Sequence, residues 1–343
     1  MKHSWSNTLL FVFIAVELVS GIFGLVSGSA DKAFFIQAHR FAGYGLLAVI
    51  GWKVAQVSYS LRRRRRVVTG PRVVSIALAV TFSVAMALGL WWSVVGPFRL
   101  GPFSGVSWHI YVGIAVAPLV VWHAVAYARG IRLGYWGERR TFLRLAGASA
   151  AGLALWQVAE LGSRVGGLAA AGRRFTGSYE FSSRYEGSFP VVYWLSDRTP
   201  DVDAERWKLK VGGMVAEESN LGLERFDDRS DLVALLDCTG GWFTEQTWSG
   251  VWVGDLLEAS RPLAGARSVT VTSVTGYYRR FPLEEARSMM LATHVGGRPL
   301  TPGHGYPARL VAPGRRGFEW VKWVGSVEVD DVPHWWQPPL PIQ

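Results

Sequence analysis

The sequence predicts a chain in two parts: an α-helical bundle of four membrane spans with a fifth, signal-anchor-like span, followed by a compact mixed α+β domain. Three observations predict it. Four segments, roughly 8–27, 35–58, 73–95 and 107–128, are long and apolar enough to cross a bilayer, for which about 20 residues are needed. The charge is lopsided: residues 1–144 carry 16 Lys/Arg against 3 Asp/Glu, whereas residues 145–343 carry 20 against 23. From about residue 176 the long apolar runs give way to short alternating ones punctuated by Gly and Pro. The expected divisions are a bundle over 1–130, a basic loop, fifth span and neck over 131–175, and a folded domain over 176–343.

The net charge of +10 would suggest nucleic acid if it were spread over the chain. Instead the excess sits between apolar segments, as the positive-inside rule requires, so the bilayer is the expected partner and nucleic acid is not. The loop after the second span holds Arg62 to Arg66 and Arg72, and the loop after the fourth holds Arg129, Arg132, Arg139, Arg140 and Arg144. Both loops and the N-terminus are therefore expected in the cytoplasm, and everything after the fifth span on the opposite side. That fifth span, 145–161, is short and rich in small residues. It follows "ERRTFLRLAGAS", where Arg139 and Arg140 precede Phe142 and Leu143. This resembles a twin-arginine export signal, the route for a domain that crosses already folded; a plain basic stop loop is the alternative. No small-residue cleavage site follows, so the expected product stays tethered.

In the second half the runs "WKLKVGGMV", "DLVALLDC", "SVTVTSV", "ARLVAPG" and "WVKWVGSVEV" read as strands, and "PLEEARSMMLA" as the one clear helix. Cys238 is the single cysteine of the chain. One cysteine excludes an internal disulfide and a Cys-rich metal cluster, leaving a small buried hydrophobe or a lone thiolate that reacts or binds.

The stretch "LLDCTGGWFTEQTWSGVWVGDLLE", with "GYYRRF" and "HGYPARLVAPGRRGFEWVKW" behind it, resembles the molybdopterin-binding domain of the sulfite oxidase family over roughly 185–336. The shared elements are a Cys ahead of Trp-Ser-Gly-Val, a Gly-Tyr, H-G-x-P-x-R, P-G-x-x-G and Lys-Trp. The resemblance implies a molybdenum-dependent oxidoreductase with one pterin cofactor per chain. Cys238 would be the protein's thiolate on the metal, a soft ligand suited to a redox-active centre. Arg309, Lys322 and the loop containing Gly317 would hold the pterin phosphate. His304 and Ser273 match pterin-contacting positions, and Tyr193 and Trp194 match upstream contacts. The sequence ends soon after "VPHWWQPPLPIQ", without the immunoglobulin-like dimerisation domain of sulfite oxidases. The expectation is thus a chain nearer to the methionine sulfoxide reductase catalytic subunit, with no dimer of the sulfite oxidase type.

Ionisable residues inside spans are costly unless they have a function or a partner. His39 lies early in the second span, and His109 and His123 lie in the fourth. A separation of 14 residues returns to nearly the same helix face about 21 Å along the axis. This half resembles cytochrome b561 and ferric-reductase-like bundles, which implies b-type haem held by histidine. His39 and His109 fall at matching depth and would share an outer haem. At the inner depth the partner position of His123 is Lys53, and a protonated lysine cannot ligate iron. One outer haem is the expectation; two haems, or a haem-free anchor whose histidines bond to neighbouring helices, are the alternatives. The resulting reading is a membrane oxidoreductase that exchanges an oxygen atom with a small substrate and passes electrons between that centre and a quinone-like carrier, in a direction the sequence leaves open. Its rivals are an electron-transfer protein without turnover of its own and a sensor that has lost the cofactor.

Overall fold

The computed structural model describes residues 5–63, 70–127, 139–183, 187–193 and 197–341. The chain divides into two compact units, Met1–Tyr179 and Glu180–Gln343. Arg64, Arg65, Arg66, Arg129 and Arg132, on which the expected orientation rests, lie outside the described residues, as does Trp194.

The first unit is helical: α1 (Trp5–Val26), α2 (Phe34–Arg63), α3 (Gly70–Leu90), α4 (Gly105–Tyr127) and α5 (Arg139–Val165). A π-helical turn, Trp91–Val95, prolongs α3. A hairpin of β1 (Arg99–Leu100) and β2 (Phe103–Ser104) leads into α4. Among the described residues five helices are long and apolar enough to cross a membrane. Their apolar side chains point outward: Ile76, Ile114 and Val125 are 64%, 63% and 75% exposed, which suits a lipid-facing surface. The small interior is Leu9, Phe13, Ala42, Leu46 and Val49. α2 and α5 cross at Gly45 and Gly152, where a Cβ on Gly152 would lie 2.7 Å from the Gly45 Cα. Only a small residue permits that approach, the usual device for packing helices in lipid.

The fifth helix is longer than the sequence suggests. It runs for 27 residues, Arg139–Val165, against the expected 145–161. No residue before 145 breaks a helix, so the arginine-bearing segment joins it. It stops at Gly166 and Gly167, the latter at φ +62°, where Leu168 N–H closes on Ser163 O.

β3 (Tyr179–Glu180) lies at the division between the units. The second unit has a five-stranded sheet in the order β5 (Ser219–Leu221), β4 (Leu209–Gly213), β13 (Val324–Asp330), β8 (Ser268–Ser273), β9 (Tyr278–Pro282). β13 runs parallel to β4 and antiparallel to β8. A second sheet centres on β7 (Trp242–Trp252), which pairs with β6 (Ser230–Cys238) and β10 (Met290–Val295). β10 also takes β11 (Arg298–Pro299) and β12 (Arg309–Val311). The core contains Trp248, Trp320, Phe281, Leu257 and Met290, each nearly fully buried. The mixed α+β character and the strand runs agree with the sequence.

The helix expected over "PLEEARSMMLA" does not form. α7 is one turn, Leu283–Ala286, and Met290 onward is strand β10. Met290, Leu291 and Ala292 are fully buried between β7 and β12, and that burial overrides the helix preference of the segment. The real amphipathic helix is α6, Val253–Ser260, which buries Val253, Leu256, Leu257 and Ser260 at i, i+3, i+4 and i+7.

Candidate cofactor sites

Cys238 is the last residue of β6. The β6–β7 hairpin turns through Thr239, Gly240 and Gly241, with Gly241 at φ +88° and its N–H on Cys238 O at 3.1 Å. The Gly240 N–H donates to the Cys238 Sγ at 3.3 Å. Beneath the turn lies an ion pair: Arg316 Nη1 meets Asp237 Oδ1 at 2.5 Å, and Nη2 donates to Cys238 O at 3.2 Å. Both side chains are almost wholly buried, at 3% and 2% exposure. Gly317 lets the "PGRRG" loop close on this turn, since a Cβ there would sit 3.1 Å from the Cys238 Cα. The thiol is thus clamped between a hairpin end and a loop about 80 residues away.

Above it opens a cleft. Cys238, Arg309, Gly317, Lys322 and Tyr193 line it together. Arg309 comes from β12 and is 3% exposed; its guanidinium lies over the rings of Trp248 and Trp320 and donates to His304 O at 3.1 Å. Its Nε is buried without a hydrogen-bond partner. Burial pulls its pKa down to about 10, opposed only by the nearby Cys238. The Lys322 ammonium donates to Val192 O at 2.8 Å and Gly303 O at 2.7 Å and lies over the Tyr193 and Trp323 rings. Burial, and then the Arg309 charge, lower its pKa to about 7. Trp323 holds a left-handed backbone, φ +51°, an unfavourable conformation for a bulky residue and one that concentrates at functional sites. Burial also raises the Cys238 thiol, against the pull of the Gly240 amide.

The other expected residues sit apart from the cleft wall. His304 donates through Nε2 to Phe189 O at 2.9 Å and shares Nδ1 with Thr301 Oγ1 at 2.9 Å, so both ring nitrogens are occupied. Its ring packs on Phe189, which does line the cleft. Ser273 accepts the Thr275 N–H in a local turn. Sequence reasoning did not assign Tyr277, whose hydroxyl donates to Phe318 O; nor Trp242, although it faces Cys238 across the hairpin; nor Asp197, the sole acid among the described lining residues. The Asp237–Arg316 pair was legible only in part, as charges flanking a cysteine and a glycine.

The donor set suits one kind of ligand. A thiol on the floor, two cations with an unsatisfied guanidinium nitrogen, and aromatic walls suit a flat, anionic, phosphate-bearing cofactor with a sulfur-seeking metal. The comparisons with known proteins agree. Residues 196–336 match the model of the oxidoreductase molybdopterin binding domain. This part of the chain is a molybdopterin-binding oxidoreductase domain. Relatives of the domain include the nitrate reductase [NADPH] of Mycosarcoma maydis, 28% identical over 37% of this chain and 18% of that protein. The uncharacterized oxidoreductase YuiH of Bacillus subtilis (strain 168) is 29% identical over 44% of this chain and 79% of its own length. The protein-methionine-sulfoxide reductase catalytic subunit MsrP of Xanthomonas axonopodis pv. citri is 28% identical over 34% and 42%. The chain therefore spans under a fifth of the nitrate reductase and less than half of the sulfoxide reductase subunit, and the helical unit lies outside the molybdopterin-domain match.

In the first unit His39 of α2 and His109 of α4 approach with ring centroids 5.8 Å apart. His39 Nδ1 lies 2.7 Å from Glu17 Oε2, 3.1 Å from Glu17 O and 3.4 Å from Ser20 Oγ. Ser20 Oγ gives its own hydrogen to Val16 O, so these neighbours offer acceptors and Nδ1 carries the proton. His109 Nδ1 donates to Ala85 O at 2.8 Å. With the proton on Nδ1, a neutral ring at either position leaves Nε2 with its lone pair. His123 Nδ1 shares a hydrogen bond with Ser75 Oγ at 3.0 Å, and the Lys53 ammonium donates to Asn7 Oδ1 at 2.6 Å.

Proposed function

We propose that this chain is a membrane-bound, molybdenum-cofactor-dependent oxidoreductase that exchanges an oxygen atom with a small substrate outside the cytoplasm, its cofactor coupled through b-type haem to a quinone-like carrier. The overall reaction would be XO + 2H⁺ + 2e⁻ ⇌ X + H₂O. Two relatives, a nitrate reductase and a sulfoxide reductase subunit, are reductases, which favours the reductive direction. The observation that carries the reading is the convergence of Cys238, Arg309 and Lys322 on one cleft inside the matched domain. Bound there, the cofactor would supply the two-electron oxygen-atom chemistry.

The chain's own residues do the holding. Cys238 supplies a sulfur ligand fixed by the Gly240 amide and the Asp237–Arg316 clamp. Arg309, with its spare Nε, and Lys322 supply charge to a phosphate, and the Trp248 and Trp320 faces keep Arg309 in place. Gly317 and the hairpin keep the thiol against the floor, and the aromatic walls restrict water. Tyr193 stays in the proposal as part of the cleft wall and His304 as the support of Phe189, while Ser273 closes its own turn away from the wall.

For haem the support is the pair of imidazoles, each held through Nδ1 with Nε2 left as a donor. The two rings stand 5.8 Å apart between centroids, at 85° to each other, and these are the residues that would hold a haem iron. The described hydrogen-bond neighbour of His123 is Ser75, and the proposal is limited to the His39–His109 site. Five spanning helices and the positive-inside reading support the bilayer and an extracytoplasmic cofactor domain. Purified full-length protein tests the function. About one molybdenum per chain is expected, with a Mo(V) paramagnetic spectrum that Cys238→Ser alters while the fold survives and turnover with sulfoxide, N-oxide or nitrate disappears. An unaltered spectrum would show that the thiol does not touch the metal.

A further inference from the structure

The geometry points to Glu17 as the positioning residue that sets the electron affinity of the His39–His109 site, by giving His39 a carboxylate hydrogen-bond partner where His109 has only a backbone carbonyl. The inference rests on the haem reading above and goes beyond it, since ligation alone assigns Glu17 no role.

Glu17 is the thirteenth residue of the 22-residue helix α1, well inside an apolar span, and its side chain is 16% exposed. A carboxylate there is costly without a partner. Among the described residues its side-chain partner is His39, 2.7 Å away. The surroundings are shaped for that contact. A Cβ on Gly43 would lie 2.8 Å from Glu17 Oε1, and one on Gly21 3.2 Å from His39 Cε1. Across the site a Cβ on Gly89 would lie 2.9 Å from His109 Cε1. Glycines on α1, α2 and α3 thus leave room for the carboxylate and for both rings.

The two imidazoles differ in what they donate to. A carboxylate draws the Nδ1 proton more strongly than an amide carbonyl does, which makes the opposite nitrogen the better metal donor. Its negative charge, in a medium of low dielectric, also favours the more oxidised metal. His39 is therefore the stronger ligand and His109 the weaker, and Glu17 biases the iron toward the ferric state. A site so biased releases its electron readily to an acceptor of higher potential.

The test uses the full-length protein purified in detergent, with optical redox titration of its haem band. Glu17→Gln keeps shape and a hydrogen-bond acceptor but removes the charge. The expected result is an unchanged band with the ferric/ferrous equilibrium shifted at least tenfold toward ferrous, about 59 mV for a one-electron couple. Glu17→Asp, which keeps the charge, is expected to return most of that shift. If Glu17→Gln loses haem, retention in Glu17→Asp at near wild-type potential supports the role; loss from both variants makes Glu17 a packing residue and overturns it. A retained band with less than a twofold shift in Glu17→Gln also overturns it. Wild-type protein without a haem band overturns the underlying haem reading, an outcome distinct from the others.

Discussion

Replacing Asp237 by Asn changes one heavy atom and should cost the second unit much of its stability. Asp237 and Arg316 are 2% and 3% exposed, and their charges meet at 2.5 Å. Arg316 Nε already lacks a partner, so the guanidinium has little else to balance it. Asn keeps the volume and one acceptor but leaves a buried cation without its counter-charge, and breaking one side of such a pair costs about 3–5 kcal/mol. The unit Glu180–Gln343 is 164 residues long, from 343 − 180 + 1. In a domain of that size each kcal/mol moves the melting point by about 2–4 °C, so a fall of roughly 6–20 °C is expected. Scanning calorimetry on full-length protein reads it as the loss of one transition toward lower temperature. The double variant Asp237→Asn/Arg316→Met removes both charges and should recover more than half of the fall, a coupling that independent sites would not show. A melting point within 2 °C of wild type for Asp237→Asn, or a double variant no better than the sum of the singles, would refute the reasoning. Molybdenum content should fall with stability, because Arg316 also holds the Cys238 carbonyl.

Lys322 gives a pH dependence. With its pKa lowered to about 7, the cation is present below that pH and lost above it, while a bound anion favours the charged form. Sulfate, whose charge is fixed over this range, should bind cofactor-free full-length protein progressively more weakly as pH rises from 7 to 9, by up to about tenfold per unit. Lys322→Arg should flatten that profile; equal slopes would count against Lys322 as the titrating group. His39→Ala or His109→Ala should remove the b-type optical band and leave molybdenum intact, whereas His123→Ala should change the band little; loss of half the haem in His123→Ala would reveal a second site. A reporter fused after Gln343 should be active only outside the cytoplasm, and cytoplasmic activity would reverse the proposed orientation.

Much of this was legible in the sequence because its signals are local. Twenty-residue apolar runs announce helices, and alternating runs such as "SVTVTSV" announce strands, since each pattern is set by the side-chain period of the element itself. The convergence of Cys238, Arg309 and Lys322 was readable through ordered motifs and not through any physical property of those residues singly. Direction was less readable: the sequence does not show that His304 turns behind the wall to hold Phe189, or that Ser273 closes its own turn. Asp197 has no sequence signal, because its place in the cleft comes entirely from tertiary folding. "PLEEARSMMLA" misleads for the same reason, as burial between neighbouring strands outweighs local preference. Glu17 did carry a signal, a carboxylate within a span, and only the fold supplies its partner.

The place of β13 has a consequence for the order of events during synthesis. It is the middle strand of the five-stranded sheet, bonded to β4 on one side and β8 on the other, yet it is the last strand made. The two halves of that sheet have nothing to join them until residue 330 exists. Some 200 residues separate the end of α4 at Tyr127 from Asp330, roughly 10–40 s of translation at about 5–20 residues per second. For most of that interval all five apolar helices are complete, α5 ending at Val165, while the cleft still lacks Lys322. The cleft is thus completed only after every apolar helix has been made.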